Sequence, residues 1–334
     1  MEKIVSKSVK SFISKISPMS TTLNNNSFSE FIFRGQGNSN WALMPSAFRK
    51  SAKFPFNGSV CTGPMKTYRE QREVEWSMLR DFLLEVNRNG HHLPEEQLLY
   101  RLIDRYKNID ELSKITRLET SWPSNDYYSM LALAQHYGLP TRLMDWSYSS
   151  LVAAYFAAKG CLTLQKDGKR VKSLSVFALN KRCSLLSSPS MLKDIHLLSE
   201  DLNSSSTPIV TYHTVESPTY FNQNLLSQRG IFLCCTEYGN IKNESFEPVS
   251  LNEYLKAKLA EETAMMEEDR TYSMLRKLSD VMGGEIGYEF RLSAKYAGEL
   301  LRELDRLFIN SSTMFPGISG CVATMYDRHS SKYL

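Results

Sequence analysis

The residues of this chain best suited to chemistry fall in two short segments. In the first, the apolar run Phe31-Ile32-Phe33 meets Arg34-Gly35-Gln36-Gly37. In the second, Thr141, Arg142, Asp145, Trp146 and Ser147 put a hydroxyl, a cation, an acid, an indole ring and a second hydroxyl within seven residues. The Arg34 guanidinium offers a planar fork of donors, the shape that grips a phosphate or pyrophosphate. Gly35 and Gly37 open the backbone to close approach by a ligand, with Gln36 between them. The competing role for Arg34 is a buried ion pair that pins its strand. So much polarity in the second segment demands partners, because buried polar groups are costly when unsatisfied. A ligand-facing loop supplies those partners. An Arg142–Asp145 pair that only fixes the turn is the alternative, with Trp146 as core.

His136 lies in Gln135-His136-Tyr137-Gly138 and reads as a base, a ligand contact or a satisfied core histidine. No other histidine or cysteine stands at metal-ligand spacing from it, so no metal site is expected. Tyr155-Phe156 either stacks a nicotinamide or a base, or fills core. Gln228 precedes an apolar run, where its amide is placed to hold a ribose hydroxyl. The chain has no Gly-x-Ser-x-Gly, no P-loop and no carboxylate cluster for two metals, which argues against hydrolase and nuclease chemistry.

The elements that position these residues follow from periodicity and punctuation. Ile4, Val5, Val9, Phe12, Ile13 and Ile16 predict an amphipathic helix over 1–17, ending before Pro18. A Ser/Thr/Asn-rich linker follows to 29. Residues 31–33 read as a buried strand, and 51–66, with Pro55, Gly58, Gly63 and Pro64, as an irregular loop. Helices are predicted over 67–88, 95–117 and 126–137. Another opens after 147, capped by Ser147, Ser149 or Ser150. Residues 139–145 read as extended. Strands are predicted over 174–179, 209–213, 230–235 and 288–292, and helices over 181–206, 249–280 and 295–308. The mixture implies an α+β fold, with a mixed or antiparallel central sheet wrapped by helices.

Hydrophobic residues make up 42% and charged residues 23% of the 334, as in soluble globular proteins of one large or two modest domains. A net charge of +4, from 40 basic and 36 acidic residues, permits nucleic acid as a partner without requiring it. The cysteines, Cys61, Cys161, Cys183, Cys234, Cys235 and Cys321, form no C-x-x-C and read as free thiols in a reducing compartment. No apolar run approaches the ~20 residues of a membrane span. The N-terminal segment is interrupted by Ser11, Ser14, Lys15 and Ser17, unlike a signal peptide. A cytoplasmic protein with no membrane partner is expected.

Both segments carry a family resemblance. Phe33-Arg34-Gly35-Gln36, followed by Trp41, Leu43-Met44-Pro45-Ser46 and Arg49, resembles the FRG domain, named for that tripeptide. So does the stretch from Ala134 through Gln135-His136-Tyr137-Gly138-Leu139-Pro140-Thr141-Arg142 and Asp145-Trp146-Ser147 to Ala153-Ala154-Tyr155-Phe156-Ala157. Gln228-Arg229-Gly230-Ile231-Phe232 and Phe315-Pro316-Gly317 are similar to later elements of that family. The resemblance covers 28–328 as one FRG domain, leaves 1–27 as an N-terminal helix and linker, and marks 236–284 as a helical insertion.

The order of these parts is also similar to the three-part site of the ADP-ribosyltransferase fold, a likeness at the level of fold that also implies a split sheet. That resemblance implies NAD as substrate and no metal. Arg34 would hold the nucleotide, the segment from Thr141 to Tyr155 would pack the nicotinamide, and Gln228 would orient the ribose. The pattern usually has a glutamate at the third element, where this chain has Gln228, with Glu237 nine residues on. Asp145 is then the first candidate for the missing negative charge. The implied catalytic set is Arg34, Asp145 and Gln228. The implied cofactor-binding set is Gly35, Gln36, His136, Thr141, Arg142, Trp146, Ser147, Tyr155 and Phe156. The implied function is a mono-ADP-ribosyltransferase toxin or defence effector that modifies nucleic acid, RNA first, or protein, and is held in check by an antitoxin. The alternatives are a non-catalytic nucleotide- or nucleic-acid-binding module and a partner-docking protein that uses its N-terminal and 253–280 helices.

Overall fold

The computed structural model describes residues 1–24, 29–94, 96–104, 112–113, 121–183, 185–186, 209–216, 223–238, 245–268 and 285–329. The chain opens with a strand, β1 (Glu2–Ser6), where a helix was expected. Ser8 is extended and its hydroxyl accepts from the Ser11 amide, so α1 begins only at Val9 and runs to Ile16. The residues ahead of this cap satisfy their backbone groups by pairing with a sheet edge instead. Then come β2 (Phe31–Gln36) and a hairpin, β3 (Lys53–Phe56) and β4 (Ser59–Thr62), in place of the expected irregular loop. Its two-residue turn is Asn57-Gly58, both at positive φ, which matches the twist of the flanking strands.

The first long helix, α2 (Tyr68–Arg88), starts at a reciprocal cap between Thr67 and Glu70. After it come α3 (Glu96–Ile103), α4 (Tyr128–His136), β5 (Leu143–Ser147) and α5 (Ser150–Lys166). Of the three candidate caps for α5, Ser149 takes the role, accepting from the Val152 amide. The remainder is β6 (Ser173–Asn180), β7 (Ile209–Val215), α6 (Gln223–Ser227), β8 (Gly230–Tyr238), α7 (Leu251–Glu268), β9 (Gly287–Ser293), α8 (Ala297–Arg306), α9 (Ser311–Met314) and α10 (Ile318–His329). Most of the helix expected over 181–206 lies outside the described residues, as does the end of the one expected over 249–280.

Among the described residues, seven strands form one sheet in the order β1-β9-β6-β2-β5-β8-β7, and only β1 with β9 is parallel. The fold is therefore α+β with a mostly antiparallel sheet flanked by helices. Setting β1 and the hairpin aside and numbering the rest in chain order, the core strands lie 4-5-2-1-3-6. The first two sit together at the centre, with the fifth beside them.

The ladder is weak at that centre. β2 pairs with β6 along its whole length, from Phe31–Asn180 to Gln36–Ser175, but with β5 only at Phe33–Ser147. The side-chain alternation shows the consequence. One face carries a continuous core, with Ile32, Phe177 and Leu179 on one half and Met144, Trp146, Ile231 and Leu233 on the other. The opposite face carries two separate cores. Phe33, Val176, Ala178 and Phe290 pack on α5, α1 and α8. Leu143, Phe232, Cys234 and Val215 pack on α4 and α2. β2 and β5 splay apart between them. Among the described residues, no helix is long and apolar enough to cross a membrane.

Candidate functional site

A cavity of about 550 Å³ occupies the splay. β2 supplies Phe33 to Gln36 and β5 supplies Asp145 to Ser147. The end of α4 contributes Gln135 and His136, and α5 contributes Val152, Ala153, Phe156 and Gly160. Asn224 and Gln228 come from α6 and the turn after it, while Trp41, Arg49 and Phe315 complete the lining. This volume lies within the range of small-molecule sites. Phe156 and Phe315 meet edge to face at 6.1 Å between centroids, and Trp41 is 48% exposed at the cavity's edge.

The polar part centres on Asp145. Arg34 Nη1 donates to the Asp145 carbonyl at 2.5 Å and lies 3.8 Å from Oδ2 of its carboxylate. Gln135 Nε2 donates to the same Oδ2 at 3.0 Å. Gln135 is itself held, because its Oε1 accepts from Thr141 Oγ1 at 2.6 Å and from Ser46 Oγ at 3.3 Å. Arg49 donates Nε and Nη2 to the Met44 carbonyl at 3.3 and 3.1 Å. Burial pushes both guanidiniums below their ordinary pKa, and the Asp145 charge partly restores each. Burial also lowers His136 against the opposing pull of Asp145, leaving a neutral imidazole at pH 7. Its Nε2 lies 3.4 Å from Asn224 Nδ2.

Three adjacent strands converge here. Ser147 pairs with Phe33 on one side and with Gly230 on the other. Its hydroxyl donates to the Gln228 carbonyl at 2.7 Å and accepts from the Ser149 amide at 3.0 Å. The Gln228 amide donates to the Met314 carbonyl at 3.1 Å. Ser147 thus ties the turn before β8 to the start of α5.

Gly35 has a reason that the sequence did not disclose. A Cβ there would stand 1.9 Å from the Ala153 carbonyl oxygen, and one on Gly37 would stand 2.5 Å from the Gly160 carbonyl carbon. The nearest neighbour is thus the backbone of α5, not open cavity. The two glycines let α5 lie directly on the end of β2, which fixes the strand that carries Arg34.

Residues 29–165 match the family model of the FRG domain. The chain carries an FRG domain. No curated protein and no solved structure matches the chain. The matched span of the FRG domain contains β2, the hairpin, α2 to α4 and β5, and ends within α5. It therefore holds Arg34, Arg49, Gln135 and Asp145. Strands β6 to β9 lie beyond the match and complete the same sheet.

Of the residues singled out from the sequence, Arg34, Gly35, Gln36, His136, Asp145, Trp146, Ser147, Phe156 and Gln228 line the one cavity. Three others do not. Arg142 is buried, with Nε 2.6 Å from Glu75 Oε2 and Nη1 2.6 Å from Glu237 Oε1. Glu237 also takes Arg72 Nε at 3.2 Å, and Glu75 accepts from Trp122 Nε1 at 2.6 Å. This closed quartet takes Arg142 away from the ligand-facing role expected of it, excludes the alternative Arg142–Asp145 pair, and removes Glu237 as an acid for the cavity. Desolvation would lower Arg142, but the two glutamates more than offset it and raise its pKa. Thr141 is buried and acts on Gln135 rather than on a ligand. Tyr155 is buried, its hydroxyl 2.7 Å from Ser311 Oγ.

The cavity also contains residues outside the predicted set. Trp41, Arg49 and Gln135 stand inside the segments that carry the resemblance and were legible there. Asn224 comes from the short helix α6 and carried no signal of its own. Among the described residues, no group of His, Cys, Asp and Glu is arranged to hold a metal.

Proposed function

We propose that the cavity binds NAD and that the protein transfers the ADP-ribosyl group to a macromolecule. The observation that carries this reading is the presence of two guanidiniums, Arg34 and Arg49, with one carboxylate, Asp145, on a single cavity. A pyrophosphate is the ligand group that two forked cations match. Phe156 and Phe315 offer flat apolar walls to the nicotinamide, and exposed Trp41 offers a stacking surface to a base.

In the reaction, the bond between the ribose C1′ and the nicotinamide nitrogen breaks and nicotinamide leaves with the electron pair. A nucleophile of the acceptor then bonds to C1′ and gives up its proton. Positive charge develops on the ribose, and the Asp145 carboxylate is the cavity's negative group facing it. RNA is the first acceptor class, followed by DNA and protein. The reading extends to a toxin or defence effector held in check by a neutralising protein partner.

The test is to incubate the protein with radiolabelled NAD and cell RNA, DNA or protein, following label and free nicotinamide. Label on one class together with nicotinamide release, both lost in Arg34→Ala, is the expected result. A folded protein that releases no nicotinamide from NAD with any acceptor sinks the transferase reading. One observation favours the second reading, a binding module without turnover. The Gln228 amide is committed to the Met314 carbonyl, and Glu237 is sealed in its quartet. That reading predicts nucleotide binding with no product.

A further inference from the structure

Resting on the reading of the cavity as a nucleotide site, we propose that Asp145 makes it selective for ribose over deoxyribose in a 5′-phosphorylated nucleoside. Among the described residues, two polar atoms at the cavity's charged centre take no partner and stand open to a ligand, Asp145 Oδ1 and Arg49 Nη1. The Asp145 carboxylate is committed to Gln135 and near Arg34 through Oδ2, while Oδ1 accepts no hydrogen bond among the described residues. Arg49 spends Nε and Nη2 on the Met44 carbonyl, and no described residue takes Nη1. Arg34 Nε takes no partner among the described residues either, but it is itself buried, so Arg34 meets the cavity through the outer part of its guanidinium. Polar atoms left open on a cavity are the ones a ligand completes.

These atoms differ in kind. The guanidinium nitrogens donate only, so they ask for an anion. The carboxylate oxygen accepts only, so it asks for a hydroxyl or an amine. A ribose 5-phosphate unit carries both complements, a dianion at one end and a vicinal diol at the other. A free phosphate supplies only the first, and its charge meets repulsion from Asp145. An acidic residue that accepts from a ribose hydroxyl is a general device of nucleotide sites. Here the acid is held in place, because Gln135 fixes Oδ2 and is itself fixed by Thr141 and Ser46. Asp145 lines the cavity and its side chain is 64% exposed, so the carboxylate is accessible to a ligand.

The two halves of this arrangement respond oppositely to Asp145→Asn. Loss of the charge weakens the grip on the diol and removes repulsion of the phosphate. The experiment measures affinities of AMP and 2′,3′-dideoxy-AMP for the full chain and for Asp145→Asn, with melting temperature as a check on folding. The expected result is a preference of about 10-fold for AMP in the wild type, the worth of one lost hydrogen bond to a charged acceptor. In Asp145→Asn the preference disappears, AMP binds more weakly and dideoxy-AMP binds at least as tightly as before. Equal wild-type affinities, no binding of either nucleotide, or parallel weakening of both in the variant overturns the proposal. Nicotinamide release from NAD is followed separately. Release without ribose preference sinks the selectivity and spares the transferase reading, whereas preference without release does the reverse.

Discussion

Two arginine–carboxylate sets lie close together along this chain and have opposite character. Arg142, just before β5, is sealed with Arg72, Glu75 and Glu237, and its side chain is 1% exposed. Arg34 meets Asp145, on β5 itself, at the wall of the cavity, where the carboxylate is 64% exposed. In the sealed set two cations face two anions, and the geometry leaves no room for a guest. In the open set two cations face one anion, and acceptor and donor atoms remain unused. The types of residue are the same, so the difference lies in charge balance and enclosure. A buried, balanced set fixes structure, while an unbalanced set on a cavity is available to a ligand.

The sealed set gives the largest effect. Arg142→Met or Glu75→Gln leaves a buried charge without its counterpart, and the expected loss is about 3–5 kcal/mol in urea unfolding. A loss below about 1 kcal/mol would remove the distinction between the two sets.

On the opposite face of the sheet from Arg142 and Glu237, His213 is buried against Tyr128, whose hydroxyl lies 2.7 Å from His213 Nε2. Burial pushes His213 down to about 4 from its ordinary 6.5. Its folded-state pKa is depressed, so its contribution is complete above about pH 6.5 and is lost as pH falls from there towards about 4. The expected loss is about 3 kcal/mol across that window, and His213→Gln flattens it in unfolding titrations against pH.

Gly35→Ala strikes the wall between the sets. Its Cβ would overlap the Ala153 carbonyl, so α5 must shift at an expected cost of about 1–3 kcal/mol. Nucleotide affinity should fall with it, because Arg34 moves too. Arg34→Gln has the smallest expected effect on stability, under about 1 kcal/mol, since its partner is largely exposed. The same variant should nevertheless abolish nicotinamide release. A large loss of stability in Arg34→Gln would class it with Arg142.

Much of this was legible along the chain. Alternation and capping located β2, α2, α5 and β8, and the family pattern marked Arg34 and Asp145. What escaped depended on contacts distant in sequence. Arg142 and Asp145 look like partners in a line of residues, yet Glu75 on α2 and Glu237 on β8 claim Arg142 from elements far away. Gly35 looked like room for a ligand, and only the packing of α5 reveals a helix backbone in that place. Ile4 and Val5 fit a helical stripe, but Ser8 as cap and β9 as partner make a strand of residues 2–6. The Asn57-Gly58 hairpin was readable in advance, and the prolines and other glycines around it drew the reading towards a loop.

The single rung Phe33–Ser147 has a mechanical meaning. The halves of the sheet meet like the jaws of a pair of pliers, with the continuous core as the joint and α4 and α5 as the gripping edges. Aperture is then governed by how each jaw is filled, and the two can be adjusted separately. Enlarging a side chain beneath α5 alters the gap from one side, while trimming one beneath α4 alters it from the other. A fold hinged in this way can retune what it holds without touching a single residue that does the holding.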